Sequence, residues 1–167
     1  MRLKDKVAVI TGAGSGIGRH CAYEFAKNGA KVVVADVNQQ GAEETVQNIR
    51  KGGGTAVVCK VDVSNRESVE ALVQFTLKTY SKVDVLVNNA AIQINKTVDN
   101  MTFEEWNQQM SINVGGVFLC SKYFLPHLRE TKGNIVSMSS VNSFFAGGAS
   151  MKLTSSSFRN SGKIPAE

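Results

Sequence analysis

At 167 residues the chain is long enough for one domain with a sizeable core, and its 43% hydrophobic and 20% charged residues fit a globular protein. The net charge of +5 is spread from Arg2 to Lys163 without a dense block, which argues against a nucleic-acid partner. Three distant cysteines (Cys21, Cys59 and Cys120) form no C-x-x-C pair, and the apolar run at 7–10 is too short for a signal core or a membrane span; reduced thiols, no metal site, no membrane contact and a cytoplasmic location are expected.

In chain order, VAVIT (7–11) is the first predicted strand. A glycine-rich turn and a helix follow, with Gly29 placed as the residue that ends that helix. KVVVAD (31–36) is the second strand, and the polar stretch 40–51 is a helix stopped by Gly52-Gly53-Gly54. TAVVCKVD (55–62) is the third strand, and Ser64-Asn65-Arg66-Glu67 reads as a capping box opening the third helix. KVDVLVNN (82–89) is the fourth strand. Thr102-Phe103-Glu104-Glu105 is a second capping box, with Met101 and Trp106 as its hydrophobic staple, and it opens one helix running to 129. Along that helix Trp106, Met110, Phe118 and Phe124 are expected to pack, and His127, beside Pro126, to cap the end or face solvent. GNIVSMSS (133–140) is the fifth strand. These valine-rich, nearly continuous runs suit strands buried on both faces. Strict alternation with helices means an α/β fold with a doubly wound parallel sheet, expected order 3-2-1-4-5, and helices on both faces. No internal repeat or interdomain linker is visible.

The chemistry sits at the strand ends. VAVIT runs into TGAGSGIG (11–18), and a helix follows. Glycines there permit a tight turn and close approach to a pyrophosphate, which the helix N-terminus attracts. Asp36 ends the next strand, where a carboxylate can accept from both hydroxyls of an adenosine ribose and repel a 2′-phosphate. Ser15 and Val37 stand where a phosphate binder wants a cation, so NAD is favoured over NADP. Asp62, Asn88, Asn89 and Ser140 end the later strands, the edge at which open α/β sheets bind ligands. Plainer readings remain for each. Asp62 with Ser64 makes a turn, the asparagines satisfy loop backbone, and Ser139 and Ser140 are ordinary strand-end residues.

The glycine spacing G-x-x-x-G-x-G (Gly12, Gly16, Gly18), with Thr11 before it, resembles the short-chain dehydrogenase/reductase family. Asp62-Val63, Asn88-Asn89-Ala90-Ala91 with Ala91 for the usual glycine, Asn113 in SINVGG, and 133–140 follow the family's order over roughly residues 5–145. The resemblance implies a Rossmann-like fold and NAD-dependent chemistry on an alcohol or carbonyl. It places Gly12, Ser15, Gly16, Ile17, Gly18, Asp36, Val37, Asp62, Val63, Asn89, Ala90 and Ala91 around the cofactor. It gives Ser140 to the substrate oxygen and Asn113 to a water relay at a helix kink. It also implies a tyrosine base about a dozen residues after Ser140 and a lysine four residues later. Those places hold Leu153 and Ser157. Leucine has no proton to exchange, and serine cannot carry the charge that lowers a phenol's pKa. Tyr23, Tyr80 and Tyr123 lie in earlier helices, and Lys152 offers no phenol. The expected organisation is a dinucleotide-binding domain over 1–149 and an irregular tail over 150–167, with the family's subunit interface incomplete in any homo-oligomer. Two readings follow: an oxidoreductase of this type with impaired catalysis, or a truncated non-catalytic nucleotide-binding or partner-binding protein.

Overall fold

The computed structural model describes residues 1–140. Five strands form one parallel sheet: β1 (Val7–Thr11), β2 (Lys31–Asp36), β3 (Thr55–Lys60), β4 (Val85–Asn88) and β5 (Asn134–Ser137), in the order β3-β2-β1-β4-β5. The expected fold class and strand order are thus both found. The period of two along each strand divides the core between the two faces. Ala8, Ile10, Val32, Val34, Ala56 and Val87 pack under α1 (Gly16–Lys27) and α2 (Gln39–Lys51). Val9, Val33, Ala35 and Leu86 face the opposite way. They meet Leu72 of α3 (Arg66–Tyr80) and Phe124 and Leu128 of the last helix. Continuous valine runs are buried because both faces are covered.

Helix boundaries follow local chemistry. After α1, Gly29 takes φ +93°, and its N–H donates to the carbonyl of Ala26. At α3 the structure corrects the sequence reading. The cap is Asn65, whose side chain accepts from Ser68 N at 2.7 Å, and Ser64 instead donates N–H and Oγ–H to Asp62 Oδ1. Thr102 does form the predicted capping box with Glu105. The helix it opens is not continuous, however. α4 (Phe103–Met110) leads into a π-helical turn (Ser111–Gly115) and then α5 (Gly116–Glu130). Phe124 is fully buried as expected, whereas Phe118 is 61% exposed and does not pack inward. His127 lies half-buried in the last turn of α5, where a basic side chain complements the helix dipole. β3, β4 and β5 are each shorter than their apolar runs. The residues trimmed off form the loops that carry Asp62, Asn89 and Ser140.

Two polar clusters tie the sheet together. At its base Asp84 is 3% exposed and accepts from Lys6 Nζ (2.8 Å), Val7 N (2.9 Å) and Lys82 Nζ (2.9 Å). At the opposite end Asn88 Nδ2 donates to Ser121 Oγ and Ser137 Oγ, and Met138 N donates to the Asn88 carbonyl. Among the described residues β5 pairs with β4 alone, leaving an open sheet edge. The boundary at 149 and the tail at 150–167 lie outside the described residues.

Candidate functional site

The chain leaves β1 through a turn that only glycine accommodates. Gly12 and Gly16 take φ of +65° and +51°, a region that L side chains avoid. Gly18 sits where the first turn of α1 presses on the loop. A Cβ there would lie 2.2 Å from the Gly12 carbonyl oxygen and 2.5 Å from Asn89 Nδ2. Ser15 is the N-cap of α1, but its side chain makes no capping bond, so the N–H groups of the first turn remain for another acceptor.

Thr11 joins this turn to the next loop. Its hydroxyl accepts from Asn89 N and Ala90 N, both at 3.1 Å, and donates to the Val87 carbonyl. Asn89 Nδ2 closes the bridge by donating to the carbonyls of Thr11 and Gly12. Thr11 is 1% exposed. Valine there keeps the shape but strands two N–H groups. Thr11→Val is expected to cost about 2 kcal/mol of unfolding free energy in urea titrations.

Between the two loops lies a cleft of about 590 Å³. Eleven of the predicted cofactor residues line it: Gly12, Ser15, Gly16, Ile17, Asp36, Val37, Asp62, Val63, Asn89, Ala90 and Ala91. Gly18 does not; it is buried behind the wall and acts by proximity. Sequence reasoning missed Val61, Gln108 and Ile112 on the lining. Gln108 and Ile112 share one side of the α4–π-turn segment, a stripe that reads as ordinary helix packing until its partner loop is known. Among the described residues Asp36 and Asp62 are the charged ones on the lining, and no lysine or arginine lines the cleft.

Asp36 is held by its own loop and by the glycine turn, Asp62 by its own loop. Asp36 Oδ2 accepts from Gly14 N (2.7 Å) and Oδ1 from Asn38 N (2.8 Å). Asp62 is exposed and held by Ser64, so the plain turn reading applies to it alongside its place on the cleft. Asn113 is buried inside the π-helical turn, not on the cleft surface. Its side chain accepts from Ile92 N (2.9 Å) and donates to Ile92 O (2.8 Å). The expected kink at Asn113 is therefore this π turn. Gln109 Oε1 accepts from Ile94 N and pins the same loop, a contact that sequence alone did not suggest. Ser139 and Ser140 are exposed beyond the end of β5, and Ser140 is not among the cleft's lining residues. Burial pushes the Cys120 thiol up to about 12, which removes it as a nucleophile.

Among the described residues no group of His, Cys, Asp and Glu is arranged to hold a metal, and no helix is long and apolar enough to cross a membrane. The short chain dehydrogenase sequence profile matches residues 6–157. The chain belongs to the short-chain dehydrogenase family. Meso-2,3-butanediol dehydrogenase of Serratia marcescens is 37% identical over 142 residues, covering 85% of this chain and 56% of that one. An uncharacterized oxidoreductase of Thermotoga maritima is 37% identical over 134 residues, covering 80% and 52%. The crystal structure of hydroxysteroid dehydrogenase from Escherichia coli superposes with a TM-score of 0.80 at 36% identity, covering 83% of this chain and 59% of that one. This short-chain dehydrogenase chain spans about half the length of the curated relatives it matches. The family binds NAD(P) nucleotides, and the uncapped turn of α1 with the adjoining glycines suits a pyrophosphate.

Proposed function

We propose that this chain binds NAD in preference to NADP in the cleft and has little or no dehydrogenase turnover. One observation carries the preference: Asp36 stands at the cleft, held by two backbone N–H groups, and among the described residues no lysine or arginine lines the wall beside it. A carboxylate there accepts from ribose hydroxyls, whereas a 2′-phosphate would meet its charge. The glycine turn and the first turn of α1 receive the pyrophosphate. Asn89, Ala90 and Ala91 border the nicotinamide side, and Asp62 and Val63 the adenine side.

When bound, the cofactor supplies hydride exchange with an alcohol or carbonyl carbon. The names of the butanediol and hydroxysteroid dehydrogenases above favour a small-molecule alcohol/carbonyl pair as the substrate class. Ser140 would donate to the substrate oxygen. Asn113, by fixing Ile92, would shape the adjoining loop. Proton exchange still needs a base of suitable pKa. The family's tyrosine and lysine places fall at Leu153 and Ser157, and neither side chain meets that need. A cytoplasmic location belongs to the same reading.

Fluorescence titration with NADH and NADPH, beside an NADH-oxidation assay over a panel of ketones, tests it. NADH is expected to bind about tenfold or more tightly than NADPH, and turnover to stay at background. Steady turnover would overturn the impairment. Absence of NADH binding would overturn the whole reading.

A further inference from the structure

We infer that Arg19 is a positioning residue that clamps the Gly14 peptide between α1 and α2, and through it fixes Asp36 and the preference for NAD. Arg19 follows Gly18 on α1 and lies outside the cleft lining. Its Nη2 donates to the carbonyls of Gly14 and Gly41 (3.1 Å for the latter) and approaches Glu44 Oε2 at 3.2 Å. One nitrogen carries two hydrogens, so three acceptors compete for them. The two backbone carbonyls belong to fixed loops. Glu44 is half-exposed and adds little beyond screening of the charge.

Gly14 is consequently held on both sides of its Cα. Its carbonyl accepts from Arg19, and its N–H donates to Asp36 Oδ2 at 2.7 Å. A Cβ on Gly14 would lie 2.9 Å from that carboxylate, so loop and side chain are in contact. The same guanidinium ties the loop to Gly41, whose N–H is held by Asn38 Oδ1; Asn38 in turn donates its own N–H to Asp36 Oδ1. Both oxygens of Asp36 thus depend on segments that Arg19 joins. Thr45 Oγ1 donates to the Ala13 carbonyl, which shares a planar peptide unit with the Gly14 N–H, so Thr45 and Arg19 hold the peptide units on either side of Gly14 Cα. Without Arg19 the peptide unit after Gly14 is untied from α1 and α2, Gly14 is held from the Thr45 side alone, and its N–H bond to Asp36 Oδ2 weakens. The carboxylate then turns toward solvent. It neither aligns with two ribose hydroxyls nor stands against a 2′-phosphate.

The selectivity half of this inference rests on the NAD reading above, whereas the clamp does not. Arg19→Lys is the informative variant, because it keeps the charge and loses the rigid guanidinium plane that aims Nη2 at both carbonyls. NADH affinity is expected to fall about fivefold with NADPH affinity unchanged, so the preference shrinks by the same factor. Amide exchange at Gly14, followed by NMR on the cofactor-free chain, is expected to quicken about tenfold in Arg19→Lys and further in Arg19→Met. Equal weakening of NADH and NADPH would overturn the selectivity role. Unchanged Gly14 exchange in both variants would overturn the clamp. If the unaltered chain bound neither dinucleotide, the proposed function would fail, and Gly14 exchange would still decide the clamp.

Discussion

Gly18→Ala is expected to weaken dinucleotide binding and to destabilise the fold. The added methyl would lie 2.2 Å from the Gly12 carbonyl oxygen and 2.8 Å from its carbon, both backbone atoms of a turn held at positive φ. Neither can retreat as a flexible side chain could. Alanine gains about 1 kcal/mol in helix propensity over glycine, but overpacking against backbone costs about 3 kcal/mol, so the loss wins. To relieve the clash the turn must move away from α1, and Asn89 Nδ2, 2.5 Å from the new methyl, must release its carbonyls. The cleft wall and the helix end then part company. NADH affinity should fall by about thirtyfold if the net loss of about 2 kcal/mol falls on the binding-competent turn. Titration fluorescence and the thermal midpoint check both effects. A variant that binds NADH like the parent would show that the close approach is not what builds the site.

Asp84→Ala is expected to cost about 3 kcal/mol of stability while leaving the cleft's own contacts in place. The two lysines are roughly half-exposed and can return to water, but the buried Val7 N–H cannot. The pH dependence has a definite sign. Burial alone would raise the Asp84 pKa; hydrogen bonds from Lys6, Val7 N and Lys82 outweigh it and hold the carboxyl below the usual aspartate value. A depressed folded-state pKa means stability that is present above the unfolded-state value and is lost as pH falls through the folded one. Denaturant midpoints from neutral to acid pH should therefore decline in the parent and decline less in Asp84→Ala. An equal acid decline in both would assign the effect to other carboxylates.

Much of this was legible in the sequence. Valine runs at 7–11 and 31–36 became central strands with unchanged limits, because both neighbours and both faces demand the same apolar residues. The glycine turn was legible because its backbone leaves few alternatives. The start of α3 was not. Ser64 and Glu67 have capping-box spacing, but Asp62 had already recruited Ser64 into a turn, which moved the cap to Asn65. The π turn at Ser111–Gly115 was legible only as a kink at Asn113, since its form depends on the distant Ile92 backbone. Arg19 escaped notice for the same reason. Its three acceptors come from Gly14, Gly41 and Glu44, segments that only folding brings together.

The sheet order has a consequence for how the two halves of the cleft respond to thermal motion. β1, which feeds the glycine turn, is the innermost strand and is paired along both sides. Among the described residues β5, which leads to Ser140, pairs with β4 alone and is tied further by the Asn88 bridge to Ser121 and Ser137. Local opening starts where backbone pairing is one-sided and side chains are half-exposed, so β5 releases its amides long before β1 does. The glycine turn thus opens only with global unfolding, whereas the serine wall can fray while the centre of the sheet stays closed. A grip on the nucleotide can outlast the order needed to hold a substrate against it.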